Sequence, residues 1–146
     1  MKGDRLYQSA LKKALMENAN LEEVFTLLMK AKKVNNYKAV YALGTWYLFG
    51  TYVKRDVYKA FELLLEAADH NIPEACFDVA ISYEKGVGTV RDLKQAFIHY
   101  MKAALLGDKQ SIYEVGRLYY YGIGIKEDRQ LAEIWLDVAN FNGILE

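Results

Sequence analysis

Residues 39–71 read AVYALGTWYLFGTYVKRDVYKAFELLLEAADHN. Shifting the sequence by 36 residues aligns this stretch without a gap with residues 75–107, and a second shift aligns it with residues 111–143. These copies read ACFDVAISYEKGVGTVRDLKQAFIHYMKAALLG and SIYEVGRLYYYGIGIKEDRQLAEIWLDVANFNG. A fixed period of roughly 20–50 residues is typical of a solenoid, in which each repeat buries its apolar face by stacking on its neighbours.

Each copy predicts two helices joined by a loop. In the first helix, Val40, Leu43, Gly44 and Tyr47 follow the i, i+3, i+4, i+7 spacing of one helical face. A glycine free to adopt a positive φ ends this helix, an aspartate caps the second helix, and alanines let the two approach closely. The repeated positions are Gly50, Gly86 and Gly122; Asp56, Asp92 and Asp128; Ala60, Ala96 and Ala132; and the final stops Asn71, Gly107 and Gly143.

The same pattern continues upstream in a weaker form. Phe25, Leu28, Ala31 and Asn35 lie 36 residues before Phe61, Leu64, Ala67 and Asn71, which predicts a helix over 21–33 and a preceding one over 4–17. The predicted fold is therefore an all-α, right-handed α-α superhelix of about four helix-pair repeats. It forms a single domain, 1–146, with a degenerate capping unit over 4–38 and repeats over 39–74, 75–110 and 111–146.

The composition excludes several classes of protein. Nineteen basic residues balance nineteen acidic ones, so no overall charge favours nucleic acid or an anionic membrane. The longest weakly polar run, AVYALGTWYLFG, has 12 residues and is too short to span a bilayer as a helix. Charges at Lys2, Asp4 and Arg5 interrupt the N-terminus, which predicts no signal peptide and a cytoplasmic protein. The single cysteine, Cys76, excludes an internal disulfide and a multi-cysteine zinc site.

These repeats resemble the Sel1-like repeats, relatives of the tetratricopeptide repeats with a longer loop inside each unit. The family pattern is an alanine, Leu-Gly, a tyrosine three residues on, Gly-x-Gly, an aspartate, an alanine, an aromatic, Ala-Ala and a glycine. The third unit fits it as AcfDVAisYekGvGtvrDlkqAfiHYmkAAllG. The resemblance covers residues 39–143 strongly and 4–38 weakly. Departures are Tyr52 in place of a loop glycine, Ala80 in place of the helix glycine, and Asn140 in place of an alanine.

The resemblance implies a protein that has no catalytic machinery and acts by holding partner proteins. We expect a non-catalytic adaptor that needs no cofactor or metal and binds a protein partner of unknown identity. The alternative is a cytoplasmic immunity-type inhibitor that binds and blocks a cognate toxin. An enzyme or a nucleic-acid binder is less favoured, because no HExxH, Walker, GxSxG or paired-cysteine motif is present.

The glycine loops GVGTVRD and GIGIKED raise the hypothesis of a phosphate site. A phosphate-binding glycine loop normally follows a strand and places the anion at a helix N-terminus. Here a helix precedes each loop, and Asp92 or Asp128 places negative charge where the anion would lie. His70 and His99 are 29 residues apart and have no nucleophile or carboxylate at motif spacing. The sequence therefore favours helix joints over active-site loops.

Aromatic residues and one arginine form the candidate partner-binding surface. On the first helix of each repeat, the positions away from the core stripe include aromatic residues that suit binding hot spots. In the predicted superhelix these helices line the concave side. The candidates are Tyr41, Phe77, Tyr113, Arg117, Tyr120 and Tyr121. Tyr41, Phe77 and Tyr113 could equally pack between repeats, whereas Arg117, Tyr120 and Tyr121 have counterparts that vary.

A second candidate surface lies on the last predicted helix. Outward positions read Lys59, Glu62, Leu63 and Glu66 in one repeat but Leu131, Ile134, Trp135 and Val138 in the last. A polar stripe has become apolar, which predicts contact with a second copy of the chain, in a homodimer, or with another partner.

Overall fold

The computed structural model describes residues 1–16 and 18–144, which form eight α-helices and no β-strand. In chain order the helices are α1 (Asp4–Ala14), α2 (Leu21–Lys33), α3 (Tyr37–Phe49), α4 (Val57–Asp69), α5 (Pro73–Lys85), α6 (Leu93–Leu105), α7 (Lys109–Tyr121) and α8 (Arg129–Phe141). The prediction of an all-α fold built from helix pairs is confirmed. The helix predicted over 4–17 ends at Ala14, and Glu17 lies outside the described residues.

The predicted caps and stops explain where the helices of each pair begin and end. The side chains of Asp56, Asp92 and Asp128 accept hydrogen bonds from backbone N–H groups in the first turns of α4, α6 and α8. Each first helix ends at a left-handed glycine: Gly50 (φ 71°), Gly86 (φ 71°) or Gly122 (φ 66°). Capping depends on residues two or three positions apart, so these boundaries follow directly from the local sequence.

The chain comprises two compact units, Met1–His70 and Asn71–Glu146. In the first unit, α1 packs on α2, α2 on α3, and α3 on α4. In the second unit, α5 packs on α6, α6 on α7, and α7 on α8. The core of the second unit includes Phe97, Tyr100, Val115 and Leu118.

Small residues allow the helices of a pair to approach closely. A Cβ atom placed on Gly44 would lie 2.9 Å from Cδ2 of Leu64, and one on Gly116 would lie 2.9 Å from Cδ2 of Leu136.

The inward positions predicted for α4, which are Ala60, Leu64, Ala67 and Ala68, are buried. Leu63, assigned to the outward stripe, is buried as well, so that assignment is wrong; the large leucine side chain packs into the core instead.

None of the helices within residues 1–16 and 18–144 is long and apolar enough to cross a lipid bilayer. The same residues hold no cluster of three or more histidine, cysteine, aspartate or glutamate side chains arranged for a metal ion.

Candidate functional site

Helix α7 brings most of the predicted partner-binding residues to one place. Tyr113, Arg117, Tyr120 and Tyr121 line a pocket of about 250 Å³ together with Leu136 of α8. We call these five residues the α7 pocket. Tyr120 and Tyr121 are exposed at the end of the helix, with 65% of Tyr121 open to solvent, whereas Tyr113 and Arg117 are half-buried.

The other two candidates are not among the residues that line this pocket. Phe77 of α5 is half-buried and packs on the core of the second unit, with its ring centroid 5.8 Å from that of Tyr100. Tyr41 is half-buried on α3, in the first compact unit. Sequence reasoning missed Leu136, because its equivalent Leu64 is a core residue and only the surroundings of α8 leave Leu136 partly open.

Arg117 is held by two carboxylates. Its Nη2 donates to both oxygens of Glu84, at 2.9 and 3.0 Å, and its Nε donates to Oε2 of Glu114 at 2.6 Å. These three side chains come from α5 and α7, and all are largely shielded from solvent. The bidentate geometry fixes the plane of the guanidinium, so Arg117 forms a rigid wall of the pocket.

Tyr100 completes this network from α6. Its hydroxyl donates to Oε1 of Glu84 at 2.9 Å. Burial raises the pKa of Glu84, but the hydrogen bonds from Arg117 and Tyr100 outweigh burial and hold that pKa below its ordinary value. Burial and the adjacent Glu84 carboxylate raise the pKa of Tyr100. Burial lowers the pKa of Arg117, but the hydrogen bonds to Glu84 and Glu114 outweigh it and raise the pKa overall. Counted by formal charge at pH 7, the network of Glu84, Glu114 and Arg117 has two negative charges and one positive charge.

Arg129 fixes the position of Tyr120. Its Nε donates to the backbone carbonyl of Tyr120 at 2.9 Å and to Oε1 of Glu127 at 3.0 Å, and its guanidinium carbon lies 3.8 Å from the Tyr120 ring centroid. The ring of Tyr121 stands edge-on to that of Tyr120, with 4.8 Å between centroids. A cation over one face and a ring at the edge orient Tyr120 before any ligand binds.

The earlier repeats use a different arginine for the same loop contact. Nε of Arg55 donates to the carbonyl of Leu48, and Nε of Arg91 donates to the carbonyl of Glu84. In the last repeat the equivalent position is Glu127, and Arg129, two residues later, makes the contact instead. As a result, the guanidinium of Arg129 lies over the ring of Tyr120, a contact that the other repeats lack.

The glycine loops form helix joints. Gly124 has a φ of 72°, and Ile123 and Ile125 beside it pack on the core of the second unit. A pocket of about 450 Å³ lies at this loop, lined by Tyr119 and residues 125–130. The Asp128 carboxylate accepts a hydrogen bond from the backbone N–H of Leu131, so an acidic group occupies the helix N-terminus where a phosphate would bind.

Each histidine contacts a backbone carbonyl four residues earlier in the chain. Nδ1 of His70 lies 2.9 Å from the carbonyl oxygen of Glu66, and its ring stacks on Tyr37 at 3.6 Å between centroids. Nδ1 of His99 lies 2.9 Å from the carbonyl oxygen of Gln95. These arrangements are typical of structural histidines.

The second candidate surface is partly exposed. Leu131, Ile134 and Val138 expose 38%, 59% and 43% of their surface, whereas Trp135 is half-buried against the core of the second unit. Phe141, which sequence reasoning missed, is 92% exposed and continues the same helical stripe. We call Leu131, Ile134, Val138 and Phe141 the α8 stripe.

Solved structures share this fold over almost the whole chain. A Sel1 repeat protein from Oxalobacter formigenes matches with a TM-score of 0.89 and 25% identity, over 97% of this chain and 59% of that protein. A protective antigen of uropathogenic Escherichia coli strains matches with a TM-score of 0.85 and 24% identity, over 97% of this chain and 29% of that protein. An immunity protein from Pseudomonas aeruginosa matches with a TM-score of 0.68 and 24% identity, over 97% of this chain and 53% of that protein.

The chain thus spans 59% or less of the length of each of these proteins. No curated protein matches the sequence. The model of the Sel1 repeat family matches residues 38–72, 73–108 and 109–139, which is more than half of the chain. With its repeat pattern, helix pairs and structural likeness all in agreement, the chain belongs to the Sel1 repeat family.

Proposed function

We propose that this protein is a non-catalytic interaction module that binds a partner protein through the α7 pocket. Sel1 repeat proteins generally mediate protein–protein interactions, and their scaffold is typically non-catalytic. The observation that carries the proposal is the convergence of Tyr113, Arg117, Tyr120 and Tyr121 on one pocket. Tyrosine and arginine are enriched in binding hot spots, and rings already held in place lose little conformational entropy on binding.

Tyr121→Ala is the variant that tests this proposal. Tyr121 is 65% exposed, so its removal should leave the fold intact while reducing capture of the partner about tenfold or more in a pull-down quantified by mass spectrometry. Arg117→Ala is less suitable, because it leaves Glu84 and Glu114 unpaired and would disturb the fold as well as the surface.

The matched control is Tyr58→Ala on α4. Tyr58 is 72% exposed and lies outside the α7 pocket, so this variant removes an equally accessible tyrosine ring. Its captured proteins should equal those of the wild type. If Tyr121→Ala also retains every partner in the wild-type amount, the α7 pocket is not the binding surface.

Inhibition of the bound partner is a second candidate function. Its support is the structural likeness to immunity proteins from Pseudomonas aeruginosa, which match 97% and 98% of this chain. In that case the partner is a toxin that loses activity when the chain binds. An assay of the captured partner with and without the chain distinguishes inhibition from an adaptor role, since an adaptor leaves the activity unchanged.

The α8 stripe serves, in this proposal, as a separate contact surface for a second copy of the chain. Its four exposed apolar side chains follow one helical face, whereas Lys59, Glu62, Glu66 and Asp69 occupy the equivalent positions of α4.

A further inference from the structure

The α7 pocket has the dimensions of a site for one side chain. Its volume of about 250 Å³ lies below the range of about 300–1,000 Å³ typical of small-molecule sites. Three tyrosine rings and Leu136 supply apolar and π surfaces, and Arg117 supplies the only formal charge on the lining. The occupant is therefore best sought among single side chains of a partner protein.

The ion-pair network that holds Arg117 is negative overall. The guanidinium of Arg117 faces two carboxylates, those of Glu84 and Glu114, which by formal charge leaves one unit of negative charge in the network. Arg129 does not offset this charge, because it is paired with Glu127.

Helix α8 adds to the negative charge. Glu133 and Asp137 flank Leu136 in sequence and are exposed. Within residues 1–16 and 18–144, neither has a cationic partner within ion-pair distance. Helix α8 thus adds two formal negative charges within three residues of Leu136, and we expect this charge to favour cations over carboxylates.

We infer that the α7 pocket takes a lysine or arginine side chain of the partner protein. The aliphatic stem packs against Leu136 and the tyrosine rings, and the cationic head lies over the ring faces. An acidic side chain would add to the excess negative charge, and an apolar one would gain nothing from it. This inference rests on the proposed function and names the chemistry that the same site recognises.

Blocked amino acids test the inference without a known partner. The probes are the Nα-acetyl methylamides of lysine, arginine, norleucine and glutamate, titrated into the protein while NMR signals of isotope-labelled tyrosine rings are followed. We expect saturable shifts at Tyr113, Tyr120 and Tyr121, with the lysine and arginine derivatives binding about three- to tenfold more tightly than norleucine. The glutamate derivative should bind most weakly.

Two variants separate the contributions of charge and shape. Glu133→Gln combined with Asp137→Asn should reduce the preference for lysine over norleucine about two- to fivefold, because it removes surface charge and keeps the side-chain shapes. Tyr58→Ala should leave all four titrations unchanged.

Tighter binding of the glutamate derivative, or no saturable shift at these tyrosines with any probe, would overturn the inference. If Tyr121→Ala abolishes partner capture while the cationic probes fail to bind, the proposed function stands and the choice of occupant is wrong. If the cationic probes bind while partner capture is indifferent to Tyr121→Ala, the pocket recognises a cation but is not the partner-binding surface.

Discussion

Tyr100 occupies a core position that its equivalents, Leu64 and Leu136, fill with hydrocarbon alone. A buried phenol needs a hydrogen-bond partner, and Glu84 of α5 supplies it. Glu84 in turn pairs with Arg117, so a single substitution in the repeat pattern links α5, α6 and α7 through polar groups. Glu114, one turn before Arg117 on α7, accepts a second hydrogen bond from the same guanidinium.

The linkage predicts how stability depends on pH. The folded-state pKa of Glu84 is lowered from the ordinary 4.5, so its ionised form favours the folded state. This stability is fully present above about pH 4.5 and is lost as the pH falls through the folded pKa. Glu84→Gln should cost about 1–3 kcal/mol of the free energy of unfolding at neutral pH and give a shallower loss of stability below about pH 4.5.

Chemical denaturation at a series of pH values measures both effects. Glu133→Gln, which removes an exposed carboxylate outside the network, is the matched control and should follow the wild-type curve. A Glu84→Gln curve parallel to that of the wild type below pH 4.5 would show that the network does not couple Glu84 ionisation to folding.

The loop between the two helices of a repeat also joins neighbouring repeats. Gly124 lies so close to the first turn of α6 that a Cβ atom there would clash with the backbone carbonyl of Leu93. In the repeat over residues 39–74, Tyr52 holds the equivalent place at a φ of 62°. The centroid of its ring lies 5.4 Å from that of Phe25 on α2. A glycine brings the loop backbone close, whereas the tyrosine packs its ring on the preceding repeat.

Gly124→Ala should therefore destabilise the second compact unit by more than the cost of a left-handed alanine. That backbone cost is about 1–2 kcal/mol, and relieving the clash with Leu93 adds about 1–3 kcal/mol. Thermal or chemical unfolding measures the sum.

Gly107→Ala is the matched control for the backbone cost. Gly107 has a φ of 99°, and a Cβ atom placed there meets no atom within 4 Å. Its alanine variant carries backbone strain without a clash, so it should be the more stable of the two. Equal stabilities would mean that the loop moves away from α6 without cost.

The elements that could be predicted are those set by local sequence. The helix over 21–33 and the caps at Asp56, Asp92 and Asp128 were predicted correctly, because capping and periodicity depend on residues a few positions apart. Leu63 was assigned wrongly because its burial depends on the neighbouring helices, which spacing does not reveal. Tyr113, Arg117, Tyr120 and Tyr121 were placed on one face by helical spacing, but Leu136 joins them from another helix.

The α8 stripe does not coincide with the positions through which one repeat packs on the next. Phe97 of α6 makes such a contact, since its ring centroid lies 5.2 Å from that of Tyr119 in the following repeat. The equivalent of Phe97 on α8 is Glu133, and the equivalent of Met101 is Asp137, so these positions are polar in the last repeat. The apolar stripe therefore lies beside the stacking face and is suited to a contact of another kind.

Self-association through the α8 stripe should depend on Val138, which is 43% exposed between Ile134 and Phe141. Sedimentation velocity over a range of concentrations should show a monomer–dimer equilibrium for the wild type, because two copies can bury the same apolar stripe about a two-fold axis. Val138→Glu should shift the equilibrium to monomer by about tenfold or more in the dissociation constant, since dimerisation would bury an unpaired carboxylate. The fold should tolerate the change, because Glu66 occupies the equivalent position of α4.

Val90→Glu makes the same substitution at a valine that is 84% exposed outside the stripe, and its dimerisation should match that of the wild type. A wild-type chain that remains monomeric at every concentration would leave the stripe to a different partner and remove the homodimer from the proposal.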